Sequence, residues 1–331
     1  MPKLTRRRFL SLSAAVAGLS LLPGGANLRA ESKPLVWRGV ALGADASLTL
    51  HHPDASSAHE ALAAALAEIK RLEDTFSLYR TDSVISRLNR EGRLAAPPPA
   101  LVQLLSQAKA IARLTDGAFD PTVQPLWRLY AAHFARPEAS PSGPSRAALH
   151  EALSRVGHEA LSVSSEEIRF ERPGMAITLN GIAQGFITDR ITALLRDRGL
   201  DQVLVDLGEQ RALGQHPSGR AWRAGIQNPD APGQLSHKVT LEDAALATSA
   251  GAGTRFEPSG RHHHLFDPLT GESSRRHASV SVLAPTAGLA DGLSTACSNL
   301  DHGQIAALCR RLPEIRVMTV DRAGGLKRFA A

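Results

Sequence analysis

The chain has 331 residues and a formal net charge of +6, and 43% of its residues are hydrophobic, which is enough for a sizeable core in one large domain or two lobes. Much of the positive charge lies in residues 1–30, which hold five basic residues and no acidic one and leave 33 basic against 32 acidic residues in the rest. Nucleic-acid binding is therefore not indicated, because it requires a clustered basic surface and no stretch interleaves aromatic and basic residues.

Residues 1–30 have the composition of an export signal. The pair Arg6-Arg7 precedes an apolar run and a group of small residues that ends at Ala30. Paired arginines in this place are typical of a twin-arginine signal, and the apolar run is shorter than the roughly 20 residues that span a bilayer. We therefore expect cleavage near Ala30, export to the periplasm and a mature domain of residues 31–331.

A hairpin and two helices are the first predicted elements. Residues 36–50 alternate between apolar and polar side chains, which predicts a strand or hairpin. Ser57 and Glu60 form a capping box, which predicts that the first helix begins there. Apolar residues at helical spacing predict a second helix over residues 101–112. Residues 115–122, with two carboxylates around one glycine, fit an ordered functional loop and a tight structural turn equally well.

A strand, a turn and a helix are predicted between residues 176 and 199. Residues 176–179 have a strand pattern, the turn 180–185 contains glycine, and a helix is expected from Phe186 to about Arg198. Free backbone N–H groups at such a helix start favour an anion, although the glycine spacing matches neither a dinucleotide fingerprint nor a Walker loop. Further predicted strands indicate an α+β fold with mixed or antiparallel sheets and flanking helices; they lie at residues 203–206, 222–226, 239–241, 245–247, 278–283 and 315–320.

Residues 261–271 contain three imidazoles, one carboxylate and a turn-forming Asp-Pro pair. Leu265 and Phe266 favour a strand that stops at this turn, so His264 is expected at a strand end. A histidine there can act as base, donor or metal ligand, because its ordinary pKa lies near neutrality. For a histidine run considered alone, a solvated basic loop is an equally good interpretation.

Asp291 and Thr295 lie one helical turn apart at the predicted start of a helix. A carboxylate and a hydroxyl at this spacing suit Mg²⁺, particularly beside a phosphate. Considered alone, the pair fits better an aspartate that caps the helix and a buried threonine. The two cysteines, Cys297 and Cys309, lie in apolar helical patterns and are expected as separate buried thiols rather than as a disulfide.

Six ordered motifs resemble the ApbE family, the FAD:protein FMN transferases. Each motif is weak alone, but together they cover most of the chain after residue 30 in a specific order. The resemblance implies an α+β fold of the ApbE type, Mg²⁺-dependent transfer of FMN from FAD to a Thr or Ser hydroxyl of a target protein, and release of AMP. The motifs lie at residues 76–83, 115–122, 181–185, 205–208, 264–271 and 290–295.

The resemblance also implies roles for individual residues. His264 matches the family histidine proposed as the base that acts on the acceptor hydroxyl. The implied metal ligands are Asp291, Thr295 and the main-chain oxygen at Gly181, with Ser294 as a further contact. The positions at which the family holds FAD correspond to Leu42, Tyr79, Ala118, Phe119, Asp120, Thr178, Gln184 and Phe266.

The chain departs from the family pattern around the implied pocket. Family members often carry an acid where Thr178 stands, a Lys or Glu where Gln184 stands, and a second glycine where Glu209 stands. Two other functions stay open beside transfer. A periplasmic FAD pyrophosphatase would use water in place of the acceptor hydroxyl, and a flavin carrier protein would bind FAD without turnover.

The resemblance and the export signal together imply a target outside the cytoplasm. A respiratory membrane flavoprotein that carries an acceptor Thr or Ser is the expected partner, along with FAD itself. The signal and the departures are similar to the exported NosX subtype of nitrous oxide respiration, whose partner is the flavoprotein NosR. A NosR-like target is therefore the specific expectation.

Overall fold

The computed structural model describes residues 33–228 and 231–331. The predicted signal peptide, residues 1–30, lies outside the described residues. The described part of the chain forms an α+β fold with antiparallel sheets and flanking helices, which confirms the predicted fold class. No helix in these two ranges is long and apolar enough to cross a membrane.

The helices and strands alternate irregularly along the chain. The strands are β1 (Leu35–Ala41), β2 (Ala44–His51), β3 (Arg93–Ala95), β4 (Leu161–Val163), β5 (Glu167–Phe170), β6 (Gln202–Asp206), β7 (Gln210–Leu213), β8 (Trp222–Asn228), β9 (Ala231–Leu241), β10 (Ala245–Ala250), β11 (Ser279–Ala284), β12 (Arg316–Val320) and β13 (Leu326–Phe329). The α-helices are α1 (Ala55–Phe76), α2 (Val84–Glu91), α3 (Pro99–Leu114), α4 (Gln124–Phe134), α5 (Arg146–Leu153), α6 (Ala183–Asp197), α7 (Ala287–Cys297) and α8 (His302–Arg311).

The largest sheet has eight antiparallel strands in the order β1-β2-β6-β7-β10-β11-β12-β13. Its two halves come from distant parts of the chain, because β2 pairs with β6 and places Ser47 opposite Asp206. A three-stranded sheet has the order β3-β5-β4, and β8 pairs with β9 in a separate hairpin. The turn after β6 and the end of β10 therefore reach the same region, beside the helices.

The main core lies between this sheet and helices α1, α3, α6 and α7. Leu48, Leu104 and Ile187 are fully buried there, and burying each such side chain stabilises the fold by about 1.5–3 kcal/mol. Side chains on β10 alternate between the two faces, so Ala247 joins this core while Leu246 packs with Trp222 of β8 on the other face. The small hairpin thereby covers the second face of the sheet.

Helices α6 and α7 approach each other closely at Gly185. A Cβ atom at this position would collide with the carbonyl oxygen of Ala287 and would lie 2.8 Å from the Cβ of Asp291. The absence of a side chain at Gly185 thus sets the distance between the two helices. Cys297 and Cys309 are free, buried thiols, as predicted, and burial raises the pKa of each thiol.

The predicted starts of α1, α6 and α7 are wrong. Helix α6 begins at Ala183 and not at Phe186. The cap of α1 is Asp54, whose carboxylate accepts from the N–H groups of Ser56 and Ser57, so the helix begins before the predicted Ser57 box. The cap of α7 is Thr286, whose hydroxyl accepts from Leu289 N. Asp291 is therefore not a capping residue and lies beyond the first turn of α7.

The strand predicted at residues 176–179 is also wrong, because this segment has no regular secondary structure. Its backbone groups bond to other partners instead of a strand ladder. The Asn89 side chain accepts from Ile177 N at 2.7 Å and donates to Ile177 O at 2.8 Å, and Thr178 N donates to Pro121 O at 2.8 Å. These bonds satisfy the segment without a neighbouring strand and place Thr178 beside the 115–122 loop.

Candidate functional site

A cavity of about 250 Å³ opens where the start of α6 and the side of α7 that carries Asp291 and Thr295 meet several loops. Its walls come from segments that are far apart in sequence. Beyond the residues predicted from the sequence, the lining includes Trp127, Glu209, Thr248 and Ser249. The predicted site residues that line it are Ala118, Phe119, Asp120, Thr178, Gly181, Gln184, His264, Phe266, Asp291 and Thr295.

Three predicted site residues do not line this cavity. Tyr79 is 86% exposed on the surface. Leu42 lies in the β1–β2 turn with φ +53°, where its N–H donates to the Glu73 carboxylate. Ser294 is fully buried behind the wall, and its hydroxyl lies 2.7 Å from the Ser249 hydroxyl. The roles that the resemblance implies for these three residues remain predictions.

Asp291 and Thr295 lie on the α7 side of the cavity, close to the backbone of Gly181. Asp291 is 3% exposed, and its Oδ2 accepts a hydrogen bond of 3.0 Å from Gly185 N. A Cβ atom at Gly181 would lie 2.8 Å from Thr295 Oγ1, so the backbone of Gly181 passes close to this hydroxyl. The structure therefore brings all three predicted cation ligands to one wall.

The chemistry of this wall fits a hard divalent cation. The groups are carboxylate, hydroxyl and main-chain oxygens, which are the ligands that Mg²⁺ prefers. Burial raises the pKa of Asp291 to about 7, as expected for a carboxylate with no cationic partner. Among the described residues no group of three or more His, Cys, Asp or Glu side chains could hold a metal, so a cation there would depend on mixed oxygen ligands.

His264 also lines the cavity and has a defined ring orientation. Its Nδ1 lies 3.2 Å from Thr254 O, and because a carbonyl can only accept, Nδ1 carries the proton and Nε2 the free lone pair. Burial is the main cause that lowers the pKa of His264 below its ordinary value of 6.5. A neutral imidazole with a free Nε2 is the form that can accept a proton.

The predicted strand end at His264 is wrong. Only isolated bridges, Arg255 with His263 and Phe266 with Ser273, form in this part of the structure. His262 and His263 are buried, which also contradicts a solvated basic loop. His263 Nε2 donates to Ser274 O at 2.7 Å, and burial lowers its pKa to about 4. These two imidazoles shape the loop that presents His264.

A model of the ApbE family matches residues 42–319, which span most of the chain and include every cavity segment. This chain belongs to the ApbE family. Two relatives named FAD:protein FMN transferase are each 31% identical to it. The one from Treponema pallidum aligns over 287 residues, 80% of this chain and 78% of its own, and the one from Vibrio cholerae over 274 residues, 80% of each.

Solved ApbE structures share the fold of this family member. The ApbE protein from Thermotoga maritima superposes with a TM-score of 0.79 at 26% identity, covering 89% of this chain and 97% of its own. The flavin transferase ApbE from Vibrio cholerae superposes with a TM-score of 0.76 at 26% identity, covering 90% and 97%. The ApbE-type fold expected from the sequence is thereby confirmed.

In this ApbE chain, Asp120 has a structural use of its own. Its Oδ1 accepts from the N–H and hydroxyl of Thr122 at 2.7 and 2.5 Å, and its Oδ2 accepts from His158 N at 2.8 Å. His158 Nδ1 also lies 3.2 Å from Oδ2. Because both oxygens are already bonded, Asp120 holds the loop of Phe119 in place, and His158 is a supporting residue that no sequence motif indicated.

Asn299 is a second supporting residue that was not predicted. Its buried side-chain amide donates to Ala118 O at 3.0 Å and to Phe266 O at 2.9 Å. The two carbonyls belong to different segments of the cavity lining, so one amide joins these segments. Its position just after α7 gives no local signal for this contact, which depends on the tertiary structure.

Glu209 was noted in the sequence only as a departure from the family pattern. In the structure it follows the turn after β6, is 7% exposed and lines the same cavity as Asp291. Burial, followed by repulsion from Asp291, raises the pKa of Glu209 well above its ordinary value. An acid in place of glycine was the only sequence signal that could have indicated this residue.

Proposed function

We propose that this chain transfers FMN from FAD to a Thr or Ser hydroxyl of a target protein and releases AMP in a Mg²⁺-dependent reaction. The observation that carries the proposal is that one cavity combines the Asp291–Thr295–Gly181 oxygens with the oriented imidazole of His264. Similarity to the named FMN transferases supports the choice of reaction.

The oxygens on the α7 wall would hold the cation. When bound, Mg²⁺ would neutralise the charge that develops on the pyrophosphate during an in-line displacement. Asp291 is kept in one orientation by the N–H of Gly185 and by the rigid contact between α6 and α7. The start of α6, next to Gln184, adds the positive end of a helix dipole to the same region.

The other walls suit the flavin half of FAD. Phe119, Trp127 and Phe266 line the cavity, and Phe266 packs in an aromatic cluster with its ring centroid 5.1 Å from that of Tyr130. Known ligand pockets measure roughly 300–1,000 Å³, so a cavity of about 250 Å³ takes the reacting part of FAD rather than the whole dinucleotide. The remainder would extend over the surface outside.

His264 would act as the general base. Its Nε2 takes the proton of the acceptor hydroxyl as the hydroxyl oxygen bonds to the FMN phosphorus and the bond to the AMP oxygen breaks. The hydrogen bond from Nδ1 to Thr254 O keeps the ring in the required tautomer. The lowered pKa keeps His264 unprotonated, and hence active as a base, at neutral pH.

We place the reaction in the periplasm and propose a respiratory membrane flavoprotein, NosR-like or of another kind, as the target. The twin-arginine pattern at Arg6-Arg7 supports export. The near balance of basic and acidic residues after residue 30 agrees with a protein partner rather than a nucleic acid.

The purified chain, mixed with FAD, Mg²⁺ and a candidate target, separates the three functions left open by the sequence. Flavin fluorescence on the denatured target band supports transfer. Free FMN and AMP without labelled target would instead identify a pyrophosphatase, and intact bound FAD would identify a carrier. Either of these results would overturn the proposal.

Variants test the assigned roles in the same assay. Asp291→Asn should abolish Mg²⁺-dependent FAD cleavage, whereas the exposed Asp45→Asn should leave it unchanged. His264→Ala should lower transfer by about 10²–10⁴-fold and leave FAD binding intact. Wild-type transfer by His264→Ala would show that another group takes the proton.

A further inference from the structure

Glu209 places a second carboxylate in the cavity wall that carries Asp291. Glu209 is more than nine-tenths buried, and its Oε2 accepts one long hydrogen bond of 3.3 Å from Thr248 N. Within residues 33–228 and 231–331 no donor bonds to its other oxygen, Oε1. A buried carboxylate that lines a cavity with a free oxygen is available to a ligand.

Asp291 is in the same situation. Its Oδ2 accepts from Gly185 N, and no donor from the described ranges bonds to Oδ1. The charged groups that act on these two carboxylates are themselves acidic, Asp206 and Asp189, and no basic side chain of the described chain is among them. A buried carboxylate without a cationic partner either takes up a proton or coordinates a metal, so one divalent cation would suit both groups.

The position of Glu209 is set by α6. Thr188 Oγ1 of this helix donates to Glu209 O at 3.4 Å. The turn before Glu209 requires glycine at position 208 because its φ is +98°. A Cβ atom at Gly208 would also collide with the side-chain amide of Gln184. The same helix carries Gly185, which orients Asp291. One element therefore positions both carboxylates at the cavity.

We propose that Glu209 contributes a second carboxylate to the divalent-cation site, so that two protein carboxylates, with Thr295 and the Gly181 main chain, hold the cation. Mg²⁺ sites in proteins use one or two carboxylates and complete the shell with water and substrate phosphates. Two carboxylates attract a divalent cation more strongly than one, so we expect Mg²⁺ to bind in the absence of FAD. The inference rests on the proposed function, since the cation is the one used in transfer.

The test is calorimetric titration of Mg²⁺ into the full chain without FAD, which requires no turnover. We expect Glu209→Gln to raise the Kd for Mg²⁺ at least tenfold, or about 1.4 kcal/mol. The exposed Glu314→Gln is the matched control and should bind as the wild type does. An equal Kd for Glu209→Gln and the wild type would overturn the inference, as would an increase in the FAD KM alone.

The fold of the variant provides the second measurement. Glutamine has nearly the same shape as glutamate and removes a buried acid that has no cationic partner, so Glu209→Gln should melt no lower than the wild type in the absence of Mg²⁺. Saturating Mg²⁺ should raise the melting temperature of the wild type by more than that of the variant. A variant that fails to fold without Mg²⁺ would show that Glu209 is structural and would overturn the inference.

The failure of this inference is distinguishable from the failure of the proposed function. FMN transfer together with an unchanged Mg²⁺ affinity in Glu209→Gln would leave the transferase assignment standing and remove Glu209 from the cation site. Mg²⁺ binding that depends on Glu209, with no transfer by the wild type to any target, would keep the site and overturn the proposed reaction.

Discussion

Replacing Asn299 by alanine tests whether one side-chain amide holds the two cavity walls together. The substitution removes the hydrogen bonds to Ala118 O and Phe266 O, at 3.0 and 2.9 Å. Each lost bond costs about 1 kcal/mol net and more where the carbonyl stays buried without a donor. Asn299 Oδ1 accepts no hydrogen bond in the described structure. Removing this buried, unpaired oxygen offsets part of the destabilisation.

These contributions sum to about 2–4 kcal/mol in the free energy of unfolding. At about 2–4 °C per kcal/mol for a protein of this size class, Asn299→Ala should lower the melting temperature by roughly 5–15 °C. The FAD affinity should fall as well, because the loops of Phe119 and Phe266 are no longer joined.

Thermal unfolding followed by circular dichroism gives the melting temperature, and fluorescence titration gives the FAD affinity. Asn299→Asp is the isosteric comparison, because it keeps the volume and replaces the donating amide with a group that only accepts. It should destabilise at least as much as alanine does. Melting within 1 °C of the wild type for both variants would refute a role of this amide in joining the walls.

Three further predictions concern the helix contact, the base and the thiols. Gly185→Ala should lower the melting temperature and weaken Mg²⁺ binding, because the added methyl group collides with α7. The control variant Gly303→Ala, in helix α8, should melt at or above the wild type. Equal melting temperatures of the two variants would contradict the predicted collision. At saturating Mg²⁺ the transfer rate should be constant near neutral pH and fall on acidification as His264 gains a proton, with a midpoint below pH 6.5 because burial lowers the pKa of His264. A midpoint above pH 6.5 would argue against His264 as the base. A thiol reagent should not react with Cys297 or Cys309 in the native protein, and it should react with both after unfolding without reductant. If neither cysteine reacts in the unfolded protein, the two form a disulfide.

The elements with strong local patterns could be predicted from the sequence. The alternating residues of β6 and β11 and the helical spacing of α3 lie where they were expected, and Asp291 and Thr295 do occupy one helix. The residues that line the cavity were predicted largely through the family resemblance, because each motif is too short to identify a site alone.

The remaining features depend on tertiary contacts or on weak end signals. Residues 176–179 have a strand pattern, but side-chain bonds from Asn89 replace the neighbouring strand. Helix α4 starts after Val123, which provides no capping hydrogen bond, so its local start signal is limited to a proline in the first turn. Asn299, His158 and the buried state of Glu209 follow from which loops meet in the fold, and no periodicity encodes that.

The pairing of β2 with β6 has a consequence for how the protein reaches its active form. Ser47 finds its partner Asp206 only after more than half of the chain has been synthesised, and such non-local contacts make folding slow. The turn that carries Glu209 begins where this pairing ends, and the α7 wall comes later still in the chain. Cation binding at this cavity should therefore report completion of the whole fold, and a partly folded chain would not compete for flavin.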